Sequence, residues 1–365
     1  MKPPEYNKIV VLATFTLQGG GAERFVLTLA QAFAQLGYQA HVVSFKRQVD
    51  YTLPERVHYH FLNYQAYRWL PKGAWRYRIF ARVFDRYVRS HIGSPQLTLS
   101  NLYQLDNVLH YSRLPHIVYV LHNTASIEYG LAQHPHRAAA LAALYANHPL
   151  VGVSRGVVAD YGRHVAAHPH ISAIHNPIDR QGITALSTAF KPDMAAGYIV
   201  HVGRFKLQKD HALLIRAYAQ SSAQVPLVLV GTGPEMAACQ ALAATLGVAD
   251  KVIFVGFQAN PYPFIRHAGL MVLSSRFEGF GIVIAEALAL GVPVVSTDCE
   301  SGPRELLPEH CLMPVGDVAA LAAKINQALA QPQHFATAFD ESWLPEAVAH
   351  AYLAAAQMPK DKDRL

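Results

Sequence analysis

The sequence has little of several residue types, and each shortage argues against a class of protein. Only three cysteines occur among 365 residues, and none forms a CxxC pair, so a disulfide scaffold or zinc ribbon is not expected and a reducing compartment is favoured. Charged residues make up 15% of the chain and hydrophobic residues 52%, which argues against a disordered chain. We expect no signal peptide and no bilayer span, because the longest apolar stretch, 281–295, is interrupted by Glu286 and a Gly-Val-Pro turn.

Motifs for common cofactors are also missing. The sequence contains neither the GxGxxG spacing of dinucleotide sites nor a Walker GxxxxGK[ST] loop, and its histidines show no metal-ligand spacing such as HExxH. The one Asp-x-Asp triplet, Asp361-Lys362-Asp363, lies in the charged C-terminal segment. We therefore expect chemistry that needs neither a metal nor an organic cofactor.

The length suits two domains of roughly 150 residues each. Strand-like and helix-like segments alternate along the chain, which predicts an α/β fold built on parallel sheets. We expect a first domain over 1–178, a second over 179–340, and a 341–365 segment with a helix and a charged tail. One arrangement open to the helix in this last segment is to cross back to the first domain. Strands are predicted at 8–15, 39–45, 117–121, 150–153, 198–202, 226–230, 251–255, 270–273 and 293–296, and helices at 22–36, 210–220, 234–246, 261–267 and 282–290.

The charge is uneven along the chain. The first 177 residues hold 17 Lys and Arg against 8 Asp and Glu, whereas the rest holds 14 against 17. Residues 67–91 include seven basic residues and one acid, Asp85. A helix is predicted at 75–89, and its apolar stripe of Trp75, Ile79, Val83 and Tyr87 is expected to pack on its own domain. The basic residues Lys72, Arg78, Arg82 and Arg86 then form either a solvated face or a surface for anionic lipid or a phosphorylated acceptor.

The most specific local pattern follows the strand predicted at 270–273. Glu278 and Glu286 lie eight residues apart and flank a glycine turn, Gly279-Phe280-Gly281, that opens a helix at Ile282. Glu286 lies in an otherwise apolar helix, where a buried carboxylate is costly unless it accepts hydrogen bonds. Ligand hydroxyls, such as those of a vicinal diol, are natural donors.

Cations follow the strand predicted at 198–202. Gly203 allows a tight exit, and Arg204 and Lys209 lie at the start of the next helix, which suits a diphosphate. Three weaker groups follow other strands. The glycine run 19–21 is either an anion site at a helix start or a plain strand–helix turn, and His122 could orient a substrate or shuttle a proton. The polar turn 298–305 is expected to support the same cleft.

In this order and spacing, these groups resemble the retaining GT-B glycosyltransferases of family 4. The segment 274–286 is similar to that family's EX7E motif, Gly203-Arg204 with Lys209 to its phosphate-binding pair, and Gly20-Gly21-Ala22-Glu23 to its glycine loop. The resemblance implies two facing, doubly wound Rossmann-like domains with a cleft between them. The first would be the acceptor side and the second would bind the nucleotide sugar. No family motif matches 51–116, which leaves the acceptor open.

The resemblance also implies roles for individual residues. Arg204 and Lys209 would hold the donor diphosphate and stabilise the leaving nucleoside diphosphate, whose phosphate would take the acceptor proton. Glu278 would bind hydroxyls of the transferred sugar, with the backbone of Gly279, Phe280, Gly281 and Ile282 nearby, and His122 would lie beside the same sugar. Glu286 would bind the ribose, and the backbone of Val255, Gly256 and Phe257 would contact the base. Gly20 and Gly21 would approach the phosphates.

The polar turn 298–303 is similar to that of members that use UDP-hexoses or UDP-N-acetylhexosamines to build lipopolysaccharide, capsule or polyprenyl-diphosphate-linked glycans. The implied protein is a metal-independent retaining transferase, peripheral on the cytoplasmic face of the membrane, with a nucleotide sugar and an anionic glycolipid acceptor as partners. A GDP-sugar transferase and a sugar-nucleotide epimerase of the same architecture remain alternatives. A nicotinamide oxidoreductase, a pure binding module and a nucleic-acid-binding protein fit the motifs less well.

Overall fold

The computed structural model describes residues 8–18, 20–49 and 53–357. Gly19 of the predicted glycine loop, the first seven residues and the charged tail from residue 358, with Asp361-Lys362-Asp363, lie outside the described residues. The chain divides into two compact units, each built around its own sheet. Unit 1 runs to Pro177 and takes in the segment from Ser342, and unit 2 is Ile178–Glu341.

Unit 1 contains a seven-stranded sheet in which every pairing is parallel, in the order β3-β2-β1-β4-β5-β6-β7. The interior strand β1, third in this order, has the sequence IVVLAT and is buried along its whole length, as expected when helices cover both faces of a parallel sheet. The strands are β1 Ile9–Thr14, β2 Gln39–Ser44, β3 Val57–Phe61, β4 Leu97–Ser100, β5 Ile117–Leu121, β6 Leu150–Gly152 and β7 Ile171–Ala173.

Seven helices of unit 1 connect or flank these strands. The C-terminal helix α14, Pro345–Ala356, packs on α1, Gly21–Gln35, where the rings of Phe25 and Tyr352 meet edge to face with centroids 5.8 Å apart. Both side chains are fully buried, so α14 is part of the unit 1 core. The helices are α1 Gly21–Gln35, α2 Ala74–Tyr87, α3 Tyr103–Leu109, α4 Ala125–Glu128, α5 His136–Tyr145, α6 Arg155–His164 and α14 Pro345–Ala356.

Unit 2 contains a six-stranded sheet, again parallel throughout, in the order β10-β9-β8-β11-β12-β13. The strands are β8 Ile199–Val202, β9 Leu227–Val230, β10 Val252–Gly256, β11 Leu270–Leu273, β12 Val294–Thr297 and β13 Leu312–Met313. The helices are α7 Arg180–Leu186, α8 His211–Gln220, α9 Met236–Thr245, α10 Tyr262–Arg266, α11 Ile282–Ala289, α12 Pro303–Leu306 and α13 Val318–Ala330. In the part of the chain that is described, no helix combines the length and the apolar character that a bilayer crossing requires.

The α/β prediction is confirmed, and each predicted strand and helix exists within a few residues of its expected bounds. Strands β3, β4, β7 and β13 are not among the predictions, because they are short or carry alternating polar residues such as the histidines of VHYHF in β3.

The face of α2 that packs on unit 1 differs from the predicted one. Trp75, at the start of the predicted apolar stripe, is 72% exposed, whereas Phe80 and Phe84 are fully buried. Phe80 packs edge to face on Phe45, with centroids 4.8 Å apart, and Phe84 contacts the same ring at 5.9 Å. The prediction was wrong because a four-residue spacing drifts around a helix of 3.6 residues per turn, so the Trp75 stripe does not stay on one side.

The buried face gives a stability prediction. Replacing Phe84 with alanine should lower the free energy of unfolding of unit 1 by about 3–5 kcal/mol, because it leaves a cavity beside Phe45. Trp75→Ala, on the opposite side, should change it by less than about 0.5 kcal/mol. Urea unfolding of the full chain, followed by circular dichroism, measures both variants. A larger loss for Trp75→Ala than for Phe84→Ala would contradict this description of α2.

Candidate active site

An ion pair joins two loops at the carboxyl ends of neighbouring strands in unit 2. The Lys209 ammonium, after β8, lies 2.5 Å from Glu278 Oε1, after β11. The Ser275 hydroxyl donates to the same carboxylate oxygen at 2.5 Å. The side chains of Lys209 and Glu278 are 19% and 8% exposed, so the pair is largely removed from water. Opposite charges that partly lose their hydration are stable there only as a pair.

Further hydrogen bonds fix these two loops to each other. The Gln208 side chain donates to the Phe277 carbonyl at 3.0 Å, and the Ser274 hydroxyl donates to the Lys209 carbonyl at 2.8 Å. Asp210 has a left-handed backbone, with φ of 44°, and its side chain caps α8 by accepting from the Leu213 amide. Arg276 donates to that same carboxylate at 2.7 Å. The positions of Lys209 and Glu278 are therefore held by neighbours on both loops.

The polar turn after β12 supports the Glu278 loop from behind. The Ser301 hydroxyl donates to the Glu278 carbonyl, and the Thr297 hydroxyl donates to the Ser275 carbonyl at 2.6 Å. Gly302 has φ of 85°, and a Cβ there would come within 2.5 Å of the Phe280 carbonyl oxygen. Only glycine fits such an approach without strain. Within unit 2, this turn and the Glu278 loop form one structure.

The glycine turn opens α11 as the spacing predicts. Gly281 is the N-cap residue, with φ of 87°, and Ile282 is the first residue of the helix. Backbone N–H groups in the first turn of a helix point outward and attract negatively charged or hydroxyl oxygens. Further along α11, the buried Glu286 carboxylate accepts a hydrogen bond from the Tyr262 hydroxyl at 3.0 Å. Tyr262 is not among the predicted site residues.

The other predicted donor contacts lie at the same edge of the sheet. Arg204 is exposed in the loop after β8. Gly256 ends β10 with φ of 82°, and its carbonyl accepts from the Gly231 amide at 2.8 Å, while Phe257 is 66% exposed just beyond it. Strands β8, β10 and β11 thus all present predicted residues at their carboxyl ends, where open parallel sheets bind ligands.

Two buried histidines lie beneath the β8 loop. His211 stacks on Phe205 with ring centroids 3.8 Å apart and meets His201 at 4.4 Å. Burial lowers the pKa of His201 to about 4 and that of His211 to about 2, so both rings are neutral at pH 7. The positive charge of this loop therefore resides on its arginine and lysines.

The predicted residues of unit 1 lie at the carboxyl ends of its own strands. His122 directly follows β5, its ring packs edge to face on Phe25 at 5.0 Å, and burial lowers its pKa to about 4. Its Nε2 atom is buried and accepts or donates no hydrogen bond among the described residues. Gly20 is the N-cap residue of α1, and a Cβ there would meet the Glu23 carboxylate. The α1 N-terminus thus already has an acidic group beside it.

The structure brings Lys209, Glu278 and the start of α11 together, and adds partners that sequence reasoning missed. Gln208 and Ser301 donate hydrogen bonds to segments far from them in sequence, and spacing alone gives no sign of these contacts. Ser275 lies within the segment 274–286 that resembles the motif, but the sequence pattern assigns no role to its hydroxyl, which donates to Glu278 three residues further on. The basic residues Lys72, Arg78, Arg82 and Arg86 are exposed, as expected for either interpretation of that surface. An ammonium, a carboxylate and helix N–H groups at one edge suit a ligand with both phosphates and hydroxyls.

Comparison with known proteins indicates the class of enzyme that has such a site. Residues 186–342 match the family model described as glycosyl transferases group 1. Over 311 residues the chain is 29% identical to the N-acetylgalactosamine-N,N'-diacetylbacillosaminyl-diphospho-undecaprenol 4-alpha-N-acetylgalactosaminyltransferase of Campylobacter jejuni, covering 80% of this chain and 81% of that protein. It is 28% identical to the lipopolysaccharide 1,6-galactosyltransferase of Escherichia coli, over 50% of this chain and 53% of that protein.

Solved structures share the fold over almost the whole chain. The apo form of the lipopolysaccharide outer core galactosyltransferase WaaB aligns with a TM-score of 0.70 at 19% identity, covering 95% of this chain and 98% of that one. The Anabaena protein HepE, solved with UDP and glucose, aligns with a TM-score of 0.71 at 22% identity, covering 95% and 94%. The chain has the GT-B fold and is a glycosyltransferase, and the residues that match the group 1 model make up most of unit 2.

The ion pair gives a prediction for unit 2. Lys209→Met leaves the Ser275 hydroxyl as the one donor to the Glu278 carboxylate among the described residues, and should cost about 2–3 kcal/mol of unfolding free energy, somewhat less than a fully buried pair because Lys209 is part exposed. Adding Glu278→Gln should recover most of that loss, since a neutral amide is easier to bury.

A double-mutant cycle in urea measures this coupling. Arg304→Met is the matched control. It removes the Arg304–Asp298 ion pair, whose arginine is 70% exposed, and should leave the unfolding midpoint unchanged. Strictly additive losses for Lys209→Met and Glu278→Gln would contradict the pairing.

Proposed function

We propose that this glycosyltransferase is a retaining enzyme of family 4 that moves a hexose or N-acetylhexosamine from a UDP-sugar to a membrane-associated glycolipid, without a metal ion. One observation carries the proposal: Lys209 pairs with Glu278 three residues before Gly281, the N-cap of α11, so a cation, a carboxylate and the start of a helix lie at one edge of the sheet. A nucleotide sugar has a diphosphate and sugar hydroxyls next to each other, which matches that set.

In this proposal the donor diphosphate replaces Glu278 as the partner of the Lys209 ammonium and also contacts Arg204 from the same loop. The sugar hydroxyls donate hydrogen bonds to the Glu278 carboxylate. Departure of UDP builds negative charge on its terminal phosphate. Preorganised cations and helix N–H groups stabilise such charge without reorganising, which lowers the barrier. The donor phosphate takes the acceptor proton as the sugar is transferred on one face of the ring, so no separate nucleophile is needed.

Other residues position the rest of the donor. Glu286, oriented by Tyr262, would accept from the ribose hydroxyls, and the backbone at 255–257 would contact the base. The neutral His122, whose Nε2 makes no hydrogen bond to any residue that the structure describes, would meet a sugar hydroxyl, and Gly20 and Gly21 would approach the phosphates. Such a phosphate would have to move the Glu23 carboxylate aside.

The acceptor class rests on the relatives. The Campylobacter relative is named for a diphospho-undecaprenol acceptor and the E. coli relative for lipopolysaccharide. Lipopolysaccharide core, capsule and polyprenyl-diphosphate-linked glycans are all anionic and membrane-bound. The exposed cations Lys72, Arg78, Arg82 and Arg86 would hold unit 1 at the cytoplasmic face of such a membrane, at about 1 kcal/mol for each basic residue near the surface.

Nucleotide selectivity tests the donor assignment. Saturating UDP in EDTA should raise the melting temperature of the protein by several degrees, because a ligand at a hundred times its Kd adds about 2.7 kcal/mol of stability. GDP and NAD are the matched comparisons. A shift with GDP alone would replace UDP-sugars by GDP-sugars as donors, and a shift with NAD alone, or with none of the three, would contradict a diphosphate site at Arg204 and Lys209.

Turnover tests the reaction itself. Transfer from UDP-galactose or UDP-N-acetylgalactosamine to detergent-solubilised lipopolysaccharide core or to a diphospho-undecaprenol glycan should persist in EDTA, with an α-linked product seen by NMR. Loss of transfer in EDTA and its recovery with Mn²⁺ would refute metal independence. An inverted anomeric centre would refute the retaining mechanism. Interconversion of UDP-sugars without any acceptor would identify the epimerase instead.

A further inference from the structure

Two tryptophans stand out on the surface of unit 1. Trp69 is 79% exposed and Trp75 is 72% exposed, the highest values among the large hydrophobic side chains of the described residues. The third tryptophan of the chain, Trp343, is 2% exposed. A single exposed apolar residue needs no explanation, but two indoles a few residues apart in a strongly basic segment call for one.

A buried arginine holds the two tryptophans in a fixed relation. Arg76 is 8% exposed, and its guanidinium donates to the carbonyls of Leu70, at 3.1 Å, and Arg68, at 3.0 Å. These bonds fasten the turn that carries Trp69 to the first turn of α2, which carries Trp75. Arg76 therefore belongs to the structure of this surface and is not one of its free cations.

Cations share the Trp75 face of α2. At 3.6 residues per turn, Arg78, Arg82 and Arg86 all lie within about 60° of Trp75 around the helix axis, opposite the buried Phe80 and Phe84. Arg68, Lys72 and Arg89 are exposed as well.

Between residues 67 and 91, all of which the structure describes, no exposed acidic side chain accompanies these cations. The one acid in this segment, Asp85, is buried, and it accepts hydrogen bonds from the Ser112 hydroxyl at 2.5 Å and the Arg113 amide at 2.7 Å. The exposed surface from residue 67 to residue 91 thus carries positive charge and indole rings together.

We infer that Trp69 and Trp75 insert into the headgroup region of an anionic bilayer while the surrounding arginines pair with lipid phosphates. Indoles favour the membrane–water interface because one edge is apolar and the N–H remains hydrated, and basic helices with such residues lie in the interface plane. This inference rests on the membrane attachment proposed above and names the residues that enter the lipid. A single-stranded nucleic acid would prefer a groove with aromatic platforms, whereas these residues stand on the outer face of a helix.

Tryptophan fluorescence of the full-length protein tests the inference directly, because Trp343 is buried and serves as an internal reference. Vesicles made of equal parts of phosphatidylglycerol and phosphatidylcholine should shift the emission to the blue, and bromine on the lipid acyl chains should quench it. Trp69→Phe and Trp75→Phe should each remove part of the change, and the double variant should remove it. Pure phosphatidylcholine vesicles should produce little change.

Binding strength provides the second measurement. Trp69→Ala with Trp75→Ala should weaken partitioning into the anionic vesicles about tenfold or more. The melting temperature and its shift with UDP should remain as in the parent protein. Tyr103→Ala, which removes another exposed aromatic of unit 1, is the matched control and should leave partitioning unchanged.

The outcomes separate this inference from the function on which it rests. If the protein sediments with vesicles but shows neither a blue shift nor any effect of the tryptophan variants, insertion is refuted and attachment by charge stands. If it does not bind vesicles, or binds a single-stranded oligothymidine in preference to them, both attachment and insertion are refuted. Transfer to a detergent-solubilised acceptor still tests the transferase separately. Two results together support both attachment and insertion. The parent protein shows the blue shift, and the triple variant Arg78→Glu/Arg82→Glu/Arg86→Glu no longer binds the vesicles.

Discussion

The candidate donor site depends on one interaction, the ion pair between Lys209 and Glu278. Each charge is mostly removed from water, and each would be costly there without the other. Around this pair, Ser275, Gln208 and Ser301 fix two loops from different strands, and the left-handed backbone of Asp210 and the close approach at Gly302 complete the frame. The pair is also neutral as a whole. A ligand that brings negative phosphates and donor hydroxyls together can therefore replace both halves of it, whereas a ligand with only one of these leaves the other charge unpaired.

The sheet makes such a pair possible. Parallel strands end at one edge, so residues 69 positions apart in sequence, after β8 and β11, meet there without any long loop. Apart from His201 in β8, the side chains of these two strands are apolar, and almost all are buried, which leaves the charged groups to the loops. Beneath the β8 loop, His201 and His211 fill space as neutral rings, and so they add no positive charge behind the cations that face outward.

The sequence predicts what depends on local pattern and fails where a distant partner decides. Apolar runs and glycine turns place most strands, the start of α11 and the cations after β8. The Glu286 carboxylate is expected to need a donor, but the Tyr262 hydroxyl that supplies one in the structure is 24 residues away and has no local signature. The same holds for α2. Two apolar stripes compete along it, and the burial of Phe80 and Phe84 follows from their contact with Phe45 on another segment, which periodicity alone does not reveal. The short strand β3, with alternating histidines, escapes notice because its polar residues break the apolar run.

The observed orientation of α2, which differs from the predicted one, places its exposed arginines on the same side as an exposed indole. If Trp75 were packed in the core, the arginine stripe would be a purely electrostatic surface, and at physiological ionic strength salt would largely screen its attraction for any anion beyond about 8–10 Å. With the indoles on the same side as the arginines, the surface combines a long-range attraction with a short-range apolar contact. Those two terms respond differently to salt and to lipid charge, and the headgroup region of an anionic bilayer offers both. Under the proposed function, the enzyme takes a nucleotide sugar from water and a lipid-linked acceptor from the membrane, and so it has to bind two kinds of phosphate. In this chain the two sets of cations lie on separate units, Arg204 and Lys209 on one and the α2 arginines on the other, so each can be altered without disturbing its counterpart.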